Sequence, residues 1–302
     1  MTDELHQTRR DLGQFLLASA LSVGGAISAR PASAAVSGDP IAAMSTGDKV
    51  RAFVKATSSL KEERVIWRTR GVILAYIPGQ TPYPILRFKG CEQQWTRPVS
   101  DTSFLRFGSN INFLCDPDTD QILDTYKNPL TGKTSTVKHY VNRITEGQTI
   151  SEQGVILNVI KQAYPDFYTD KKFEMDIAVV EDTMAFRGDT EWPAELRAPP
   201  AGSVQTFFAD ASKVMDPKTT SVPSHFAGHV LMPWYPWMEM KDQPGHMLWH
   251  ATAYKVKSFD AVPADYMAKA TRDYADIFEK SPEFDTEPSS FAKRLKALGR
   301  LK

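Results

Sequence analysis

Residues 223–257 read PSHFAGHVLMPWYPWMEMKDQPGHMLWHATAYKVK and contain four of the chain's six histidines and three of its six tryptophans. Three prolines occupy the centre of this stretch and favour a loop there: Pro233, Pro236 and Pro244. Two pairs of histidines with equal spacing flank that centre: His225 with His229, and His246 with His250. The downstream flank alternates between two sets of side chains, which predicts a strand. The stretch therefore predicts two strands joined by an aromatic loop.

The histidine spacing also suggests how the two strands pair. Side chains an even number of positions apart point to the same face of a strand, so each pair shares a face. In an antiparallel pair, the numbers of opposite residues add to a constant. One such register places His225 opposite His250 and His229 opposite His246. Because the two spacings are equal, a register that places His225 opposite His250 also places His229 opposite His246. The register is one testable geometry.

Histidine transfers protons near neutral pH, and aromatic rings form flat apolar walls with polar edges. We therefore predict a pocket for a small aromatic or hydrophobic molecule. The predicted catalytic residues are His225, His229, His246, His250 and Glu239. The predicted substrate-binding residues are Trp234, Tyr235, Trp237, Trp249, Tyr254 and Arg68. In the competing interpretation, the tryptophans belong to an ordinary core and the histidines are structural or surface groups.

A histidine-bound metal is a further alternative. Residues four apart on one strand are separated by about 13 Å, so neither histidine pair can chelate one ion by itself. Two opposed histidines from neighbouring strands could bind a metal together with Glu239 or His139. The prediction that we favour has no metal ligands.

The rest of the chain predicts a mainly β protein. A helix is expected over residues 47–61, and C-terminal helices are expected around 266–278 and after Pro288. Between them lie runs rich in β-branched and aromatic residues, at 64–77, 85–97, 103–115, 121–126, 135–144, 149–160, 173–180 and 204–214. Their short, even spacing indicates an antiparallel β-barrel, lipocalin-like or a curved sheet, with N-terminal and C-terminal helices. The proline-containing stretch 183–202 is predicted to be a loop that acts as a lid or rim.

The N-terminus reads as an export signal. Arg9 and Arg10 precede an apolar run over residues 15–27, and residues 32–34 offer a small-residue cleavage site. The pattern resembles a twin-arginine signal. We predict an export signal over residues 1–35, a single β-barrel domain over residues 36–302 and a periplasmic location. The apolar run is too short for a stable membrane span.

Composition excludes several classes of partner and cofactor. The 36 basic and 36 acidic residues balance, so nucleic acid is not an expected partner. Nucleotide-binding glycine loops, the serine-hydrolase elbow and the His-Glu-x-x-His motif are absent from the sequence, so no organic cofactor is predicted. The two cysteines, Cys91 and Cys115, could form a disulfide in an oxidising compartment or remain buried thiols.

Residues 116–133 contain two turns of the type Asp/Asn-Pro-x-Thr around a short strand. They begin at Asp116 and Asn128, and Asp120 occupies the position where the motif has glycine. The segment resembles the central signature of a family of exported bacterial proteins known only as a domain of unknown function. The resemblance implies a β-rich secreted domain and no defined activity. The motif itself is typical of tight turns.

These observations predict a periplasmic enzyme without organic cofactor that acts on a small aromatic or hydrophobic molecule. Acid–base chemistry of the lyase, isomerase or hydrolase type is expected. The first alternative is a non-catalytic barrel that binds or carries the same kind of ligand. The second is a metalloenzyme that uses the histidines.

Overall fold

Ten antiparallel strands form one curled sheet that resembles half of a barrel in the computed structural model. The structure describes residues 41–190, 193, 202–240, 243–279 and 288–301. The strands are β1 (Arg64–Tyr76), β2 (Tyr83–Ser100), β3 (Ser103–Cys115), β6 (Tyr140–Ser151), β7 (Gly154–Leu157), β8 (Asp176–Val180), β9 (Thr183–Thr190), β10 (Gly202–Asp210), β11 (Ser224–Met232) and β12 (His246–Val256). Their spatial order is β7-β6-β3-β2-β1-β12-β11-β10-β9-β8. A separate two-stranded sheet pairs β4 (Thr125–Lys127) with β5 (Thr134–Thr136).

The prediction of a mainly β fold with an antiparallel, strongly curved sheet is confirmed. The described helices are α1 (Thr46–Thr57), α2 (Asn158–Ala163), α3 (Ala211–Met215), α4 (Ala264–Asp273), α5 (Ala275–Glu279) and α6 (Ser290–Ala297). Short 3₁₀ turns lie at Pro165–Tyr168, Pro236–Met238 and Phe259–Ala261.

Helix α1 fills one end of the concave side of the sheet. Ser45 begins it with a capping box, in which its side chain accepts a hydrogen bond from the Asp48 amide. The ring of Phe53 packs 5.9 Å from that of Phe207 on β10 and 6.1 Å from that of Phe186 on β9. This apolar contact anchors the helix against the sheet, because buried aromatic rings contribute large apolar areas.

The C-terminal helices cover part of the opposite, convex side. Tyr266 of α4 is fully buried, and its hydroxyl donates to the carbonyl of Ile111 on β3 over 3.0 Å. Gln93 on β2 donates through Nε2 to the carbonyl of Ile277 on α5, also over 3.0 Å. The convex side is therefore interior where α4 and α5 cover β2 and β3, whereas Tyr76 on β1 and Tyr254 on β12 remain exposed on this side.

Both cysteines are buried and unpaired. In the ladder, Cys91 lies opposite Ile111 and Cys115 lies opposite Arg87, so the two do not face each other. Burial raises the pKa of each thiol to about 12, which keeps both protonated at neutral pH. Of the two possibilities left by the sequence, the structure has the buried thiols.

The structure corrects several predicted boundaries. Residues 183–190 form strand β9 rather than part of a loop, because this segment pairs with β10 in a continuous antiparallel ladder before the proline-rich stretch begins. The predicted strand 149–160 is the end of β6, then β7, then α2. The predicted strand 204–214 ends at Asp210, whose side chain caps α3 by accepting from the Lys213 amide. Most of the rest of the predicted lid, residues 191–201, lies outside the described residues.

The described residues from 41 onwards belong to one compact unit. The predicted export signal lies outside the described residues. Among the described helices, none has the length and apolar character needed to cross a membrane.

Candidate functional site

The two histidine-bearing strands pair as predicted, but in a different register. His229 lies opposite His250, and His225 lies opposite Tyr254, so the predicted pairing of His225 with His250 is wrong. The predicted register would have carried Pro244 and Gly245 into the ladder. Proline has no amide hydrogen to donate there, and Gly245 has a φ of 108°. Strand β12 therefore begins at His246, and the pairing moves by four residues.

All four histidines lie on the convex side of the sheet. His229 Nε2 lies 3.0 Å from His250 Nδ1. The ring of His225 packs 5.0 Å from Tyr254, and the ring of His246 stacks 4.9 Å from Tyr76 on β1. Tyr254 is 44% exposed, so this face opens to solvent. No group of three or more histidine, cysteine or acidic side chains capable of holding a metal occurs in the described part of the chain.

Trp249, between these histidines in sequence, points to the concave side. It is 6% exposed, and its ring lies 4.6 Å from Phe88 on β2. Four predicted substrate-binding residues gather on this side in what we call the aromatic cluster: Trp234, Tyr235, Trp237 and Trp249. Because the histidines and the cluster lie on opposite faces of the sheet, the predicted pocket that combines them is not formed.

The remaining predicted residues lie elsewhere. Arg68 is on the convex side, where its guanidinium donates to the carbonyl of Ala261 over 3.2 Å. Glu239 follows the 3₁₀ turn after the cluster and forms a 2.9 Å ion pair with Lys133. His139 accepts a hydrogen bond from the Leu114 amide, and burial lowers its pKa to about 4. Neither Glu239 nor His139 therefore joins the convex histidines as the metal alternative required.

The concave side holds a row of polar residues that the sequence interpretation missed. Gly90 on β2 lies between Thr69 on β1 and Asn112 on β3, and Thr69 Oγ1 donates to Asn112 Oδ1 over 3.1 Å. A methyl group at position 90 would collide with both of these side chains. The missing side chain of Gly90 therefore lets a hydrogen bond cross the middle strand. The next row on the same face contains Glu92 and Asn110.

Glu92 is the central titratable group of this surface. It is half-buried, and Gln94 Nε2 donates to its Oε1 over 2.6 Å. Burial raises the pKa of the carboxyl, against the opposing effects of that hydrogen bond and of the nearby Arg106 charge. A carboxyl that is partly accessible and yet desolvated is a candidate for proton transfer.

Arg106 and Tyr140 also lie near this carboxyl. Arg106 on β3 is held by Gln148, whose side-chain oxygen accepts from the guanidinium Nε over 3.0 Å. Tyr140 on β6 is close enough for the Glu92 charge to add to burial, and its pKa rises to about 12. The ring of Tyr140 lies 6.0 Å from that of Trp249, so this tyrosine joins the polar row to the aromatic cluster. We call Glu92, Gln94, Arg106, Asn110, Tyr140 and Trp249 the Glu92 site.

Several polar atoms of this region are buried without a hydrogen-bond partner among the described residues. At the polar end they are Gln94 Oε1 and Asn110 Oδ1, and at the aromatic end they are Trp234 Nε1, Tyr235 Oη, Trp237 Nε1 and Trp249 Nε1. Each unpaired buried group costs about 1–3 kcal/mol. Gln94 and Asn110 adjoin the desolvated carboxyl, and Tyr140 lies between it and the aromatic end. Unpaired buried groups of this kind are typical of a site that a ligand completes.

Lys255 lies beyond the polar row, near the end of α1. Burial lowers its pKa to about 7, and its ammonium donates to the carbonyls of Lys55, over 3.0 Å, and of Ser58. A cation at the C-terminal end of a helix is favourable, because the last carbonyls there carry partial negative charge. We therefore assign Lys255 to the anchoring of α1.

The turn motif of residues 116–133 contacts the segment that carries the aromatic cluster. Asp116 Oδ1 accepts from the amides of Asp118 and Thr119, as predicted for a tight turn. Asp120 has a left-handed φ of 59°, which is why glycine would suit that position. Asn128 is 1% exposed, and its Nδ2 donates to the carbonyl of Met238 in the cluster segment over 2.9 Å. The second turn therefore holds the aromatic segment in place.

The signal for the Glu92 site is present in the sequence, but it is weak. Glu92 and Gln94 alternate with Cys91 and Gln93 in a long strand, and a single carboxylate in such a strand usually faces solvent. The sequence favours the histidine-rich stretch instead, because histidine is the commoner catalytic residue.

A model of the family described as "Protein of unknown function (DUF1838)" matches residues 61–294. The curated proteins and the solved structures contain no significant match to the chain.

Proposed function

Because the chain belongs to the DUF1838 family, whose description assigns no activity, we propose a function from the geometry. The protein is an acid–base enzyme without organic cofactor, and the Glu92 site binds and converts a small aromatic molecule. The observation that carries this proposal is the desolvated carboxyl of Glu92 beside unpaired hydrogen-bonding groups and the aromatic cluster. The proposed class of enzyme is the one predicted from the sequence, but the proposed catalytic group is Glu92 in place of the histidines.

The residues around Glu92 supply complementary roles. Glu92 takes a proton from the ligand and returns it, since a raised pKa brings a carboxyl closer to neutral pH and favours both directions of transfer. Tyr140 keeps its proton at neutral pH, because its pKa is about 12, and donates a hydrogen bond to the anion that forms. Arg106 contributes a fixed positive charge that stabilises the same anion.

The polarity of the site defines the ligand class. Amide oxygens and the carboxylate at the polar end accept hydrogen bonds, whereas indole N–H groups at the aromatic end only donate them. A ring that carries a hydroxyl towards Glu92 and a carbonyl or carboxylate towards Trp249 satisfies both ends. Since the unpaired atoms are closed to water, the aromatic side chains must move to admit this ligand.

Proton transfer to a ring can be measured without knowing the natural substrate. In D₂O, the enzyme should exchange the hydrogen atoms next to the hydroxyl of 2-naphthol or 6-hydroxy-2-naphthoate, and NMR would follow the exchange. Glu92→Gln should slow this exchange at least about a hundredfold while binding, measured by tryptophan fluorescence, persists. Glu62→Gln is the matched control, because Glu62 is an exposed partner of Arg97.

The same experiment tests the carrier alternative. A carrier would bind the naphthols and give no exchange above the solvent rate, and Glu92→Gln would then change affinity alone. If neither 2-naphthol nor 6-hydroxy-2-naphthoate bound, the proposal that the Glu92 site is a pocket for aromatic ligands would be contradicted. We also propose the periplasm as the location, on the twin-arginine-like pattern of residues 8–34.

A further inference from the structure

The convex face carries a group of potential ligands that the Glu92 site does not use. His229 on β11 and His250 on β12 lie directly opposite each other. Their facing nitrogen atoms, Nε2 and Nδ1, are 3.0 Å apart, and their ring centroids are 4.7 Å apart. Two imidazole nitrogens at this separation can share one proton, or they can bind one metal ion in its place.

We propose that His229 and His250 form a binding site for a divalent transition-metal ion, with Cu²⁺ bound most tightly. Metal–nitrogen bonds of about 2.1 Å at a right angle place the two nitrogens about 3.0 Å apart. This is the arrangement of neighbouring ligands in the tetragonal geometry of Cu²⁺. Imidazole also suits Ni²⁺ and Zn²⁺, but a given nitrogen site generally binds Cu²⁺ more tightly than either.

The strands hold this pair ready for a metal. Both residues lie inside a continuous antiparallel ladder, which fixes the backbone positions from which the two rings project. Val204 of β10 lies opposite His229, and Val72 of β1 lies opposite His250. The immediate neighbours of the histidine pair on the two adjacent strands are therefore uncharged. Arg70, opposite Thr252, is one same-face step away and is exposed.

The site has two protein ligands and an open outer side. His229 is exposed and His250 is partly exposed, so water can fill the other coordination positions. No third histidine, cysteine or acidic side chain joins them within the described ranges. Such a site binds reversibly and accepts an external ligand on the metal. Because a metal-bound nitrogen must be unprotonated, the N–H proton between the two rings moves to the other nitrogen of its own ring when the metal binds.

The chain contains matched controls. His225 and His246 lie on the same two strands and the same face, but neither has a histidine opposite it. Each of their rings instead packs against a tyrosine, Tyr254 or Tyr76. A chelating pair and single surface histidines can therefore be compared within one protein.

The test is a calorimetric titration of the full chain, without a polyhistidine tag, with CuCl₂ at neutral pH. We expect one high-affinity Cu²⁺ per chain, and affinity at least about tenfold weaker in His229→Ala and in His250→Ala, since even supporting groups change metal affinity that much. His225→Ala and His246→Ala should bind as the wild type does. Electron paramagnetic resonance of the copper complex should show two coordinated nitrogens, with one fewer in His250→Ala.

His229→Gln provides a second variant that keeps a hydrogen-bonding side chain at the exposed position, so its loss of copper binding does not depend on altered folding. Equal losses in all four alanine variants would show dispersed surface binding and would contradict the proposal. Unchanged affinity in both His229→Ala and His250→Ala would also contradict it. Neither result bears on the Glu92 site, which lies on the other side of the sheet.

Discussion

Trp249 and His250 are neighbours in the chain, yet they belong to different environments. Trp249 is 6% exposed on the concave side, between Phe88 and Tyr140, whereas His250 faces His229 on the convex side. Strand alternation separates them, because successive side chains point to opposite faces. The concave side contains a desolvated carboxyl and unpaired polar atoms, while the convex histidines pair with each other or with tyrosines. The face on which a residue lies thus outweighs its type as a guide to function.

The largest expected difference between the two faces is in stability. Trp249→Ala removes a buried ring that packs against Phe88, Tyr140 and Tyr235. We expect the free energy of unfolding to fall by about 3–5 kcal/mol, as for other buried aromatic residues. Denaturant titration followed by circular dichroism measures this change. A loss below about 1 kcal/mol would show that the aromatic cluster is not part of the core.

Gly90→Ala tests the polar row of the concave side. The added methyl group collides with Asn112 and Thr69, which must separate and lose their hydrogen bond. We expect a loss of about 1–3 kcal/mol, the usual cost of overpacking. Gly202→Ala is the control, because Gly202 also lies in a strand and has open space around its Cα. Equal stability of the two variants would contradict the close approach of Thr69 and Asn112.

The comparison also shows which features the sequence could predict. The strand over residues 103–115 has its predicted bounds, because a continuous run of β-branched and aromatic residues ends at turn residues on both sides. The two histidine-bearing strands and the aromatic loop follow from the same alternation. These features depend on local pattern alone.

Register and site location depend on non-local contacts, and the sequence does not specify them. The 13 residues 233–245 between β11 and β12 are too many to fix a register by turn geometry, so histidine spacing alone left several alignments open. Glu92 becomes distinctive only when β1 and β3 flank it and the curled sheet encloses it. A single carboxylate in a strand gives no sign of this enclosure.

Glu92→Gln should increase stability by a smaller amount, and only in one pH range. The pKa of the folded-state carboxyl is raised above its ordinary value of 4.5, so the ionised group is penalised by folding. The unfolded state therefore binds fewer protons, and stability falls as pH rises from the unfolded pKa through the folded pKa. The glutamine variant lacks this loss and retains an acceptor for Gln94 Nε2.

Melting temperatures measured from pH 4 to pH 8 test this expectation. The variant should melt a few degrees above the wild type at neutral pH, and the gap should close as pH falls below the unfolded pKa. A gap that is independent of pH, or a less stable variant at pH 8, would show that Glu92 is not desolvated. Glu62→Gln is the control variant, because Glu62 is 60% exposed.

His250→Ala is expected to have the smallest effect on stability. Its ring contacts His229 on an open face, and a surface substitution usually changes the free energy of unfolding by less than about 0.5 kcal/mol. Denaturant titration of His250→Ala beside Trp249→Ala compares two adjacent positions of one strand. If the face assignment is right, the difference is several kcal/mol. If His250→Ala were as destabilising as Trp249→Ala, the convex side would be an interior surface, and the separation between catalytic and metal-binding faces would fail.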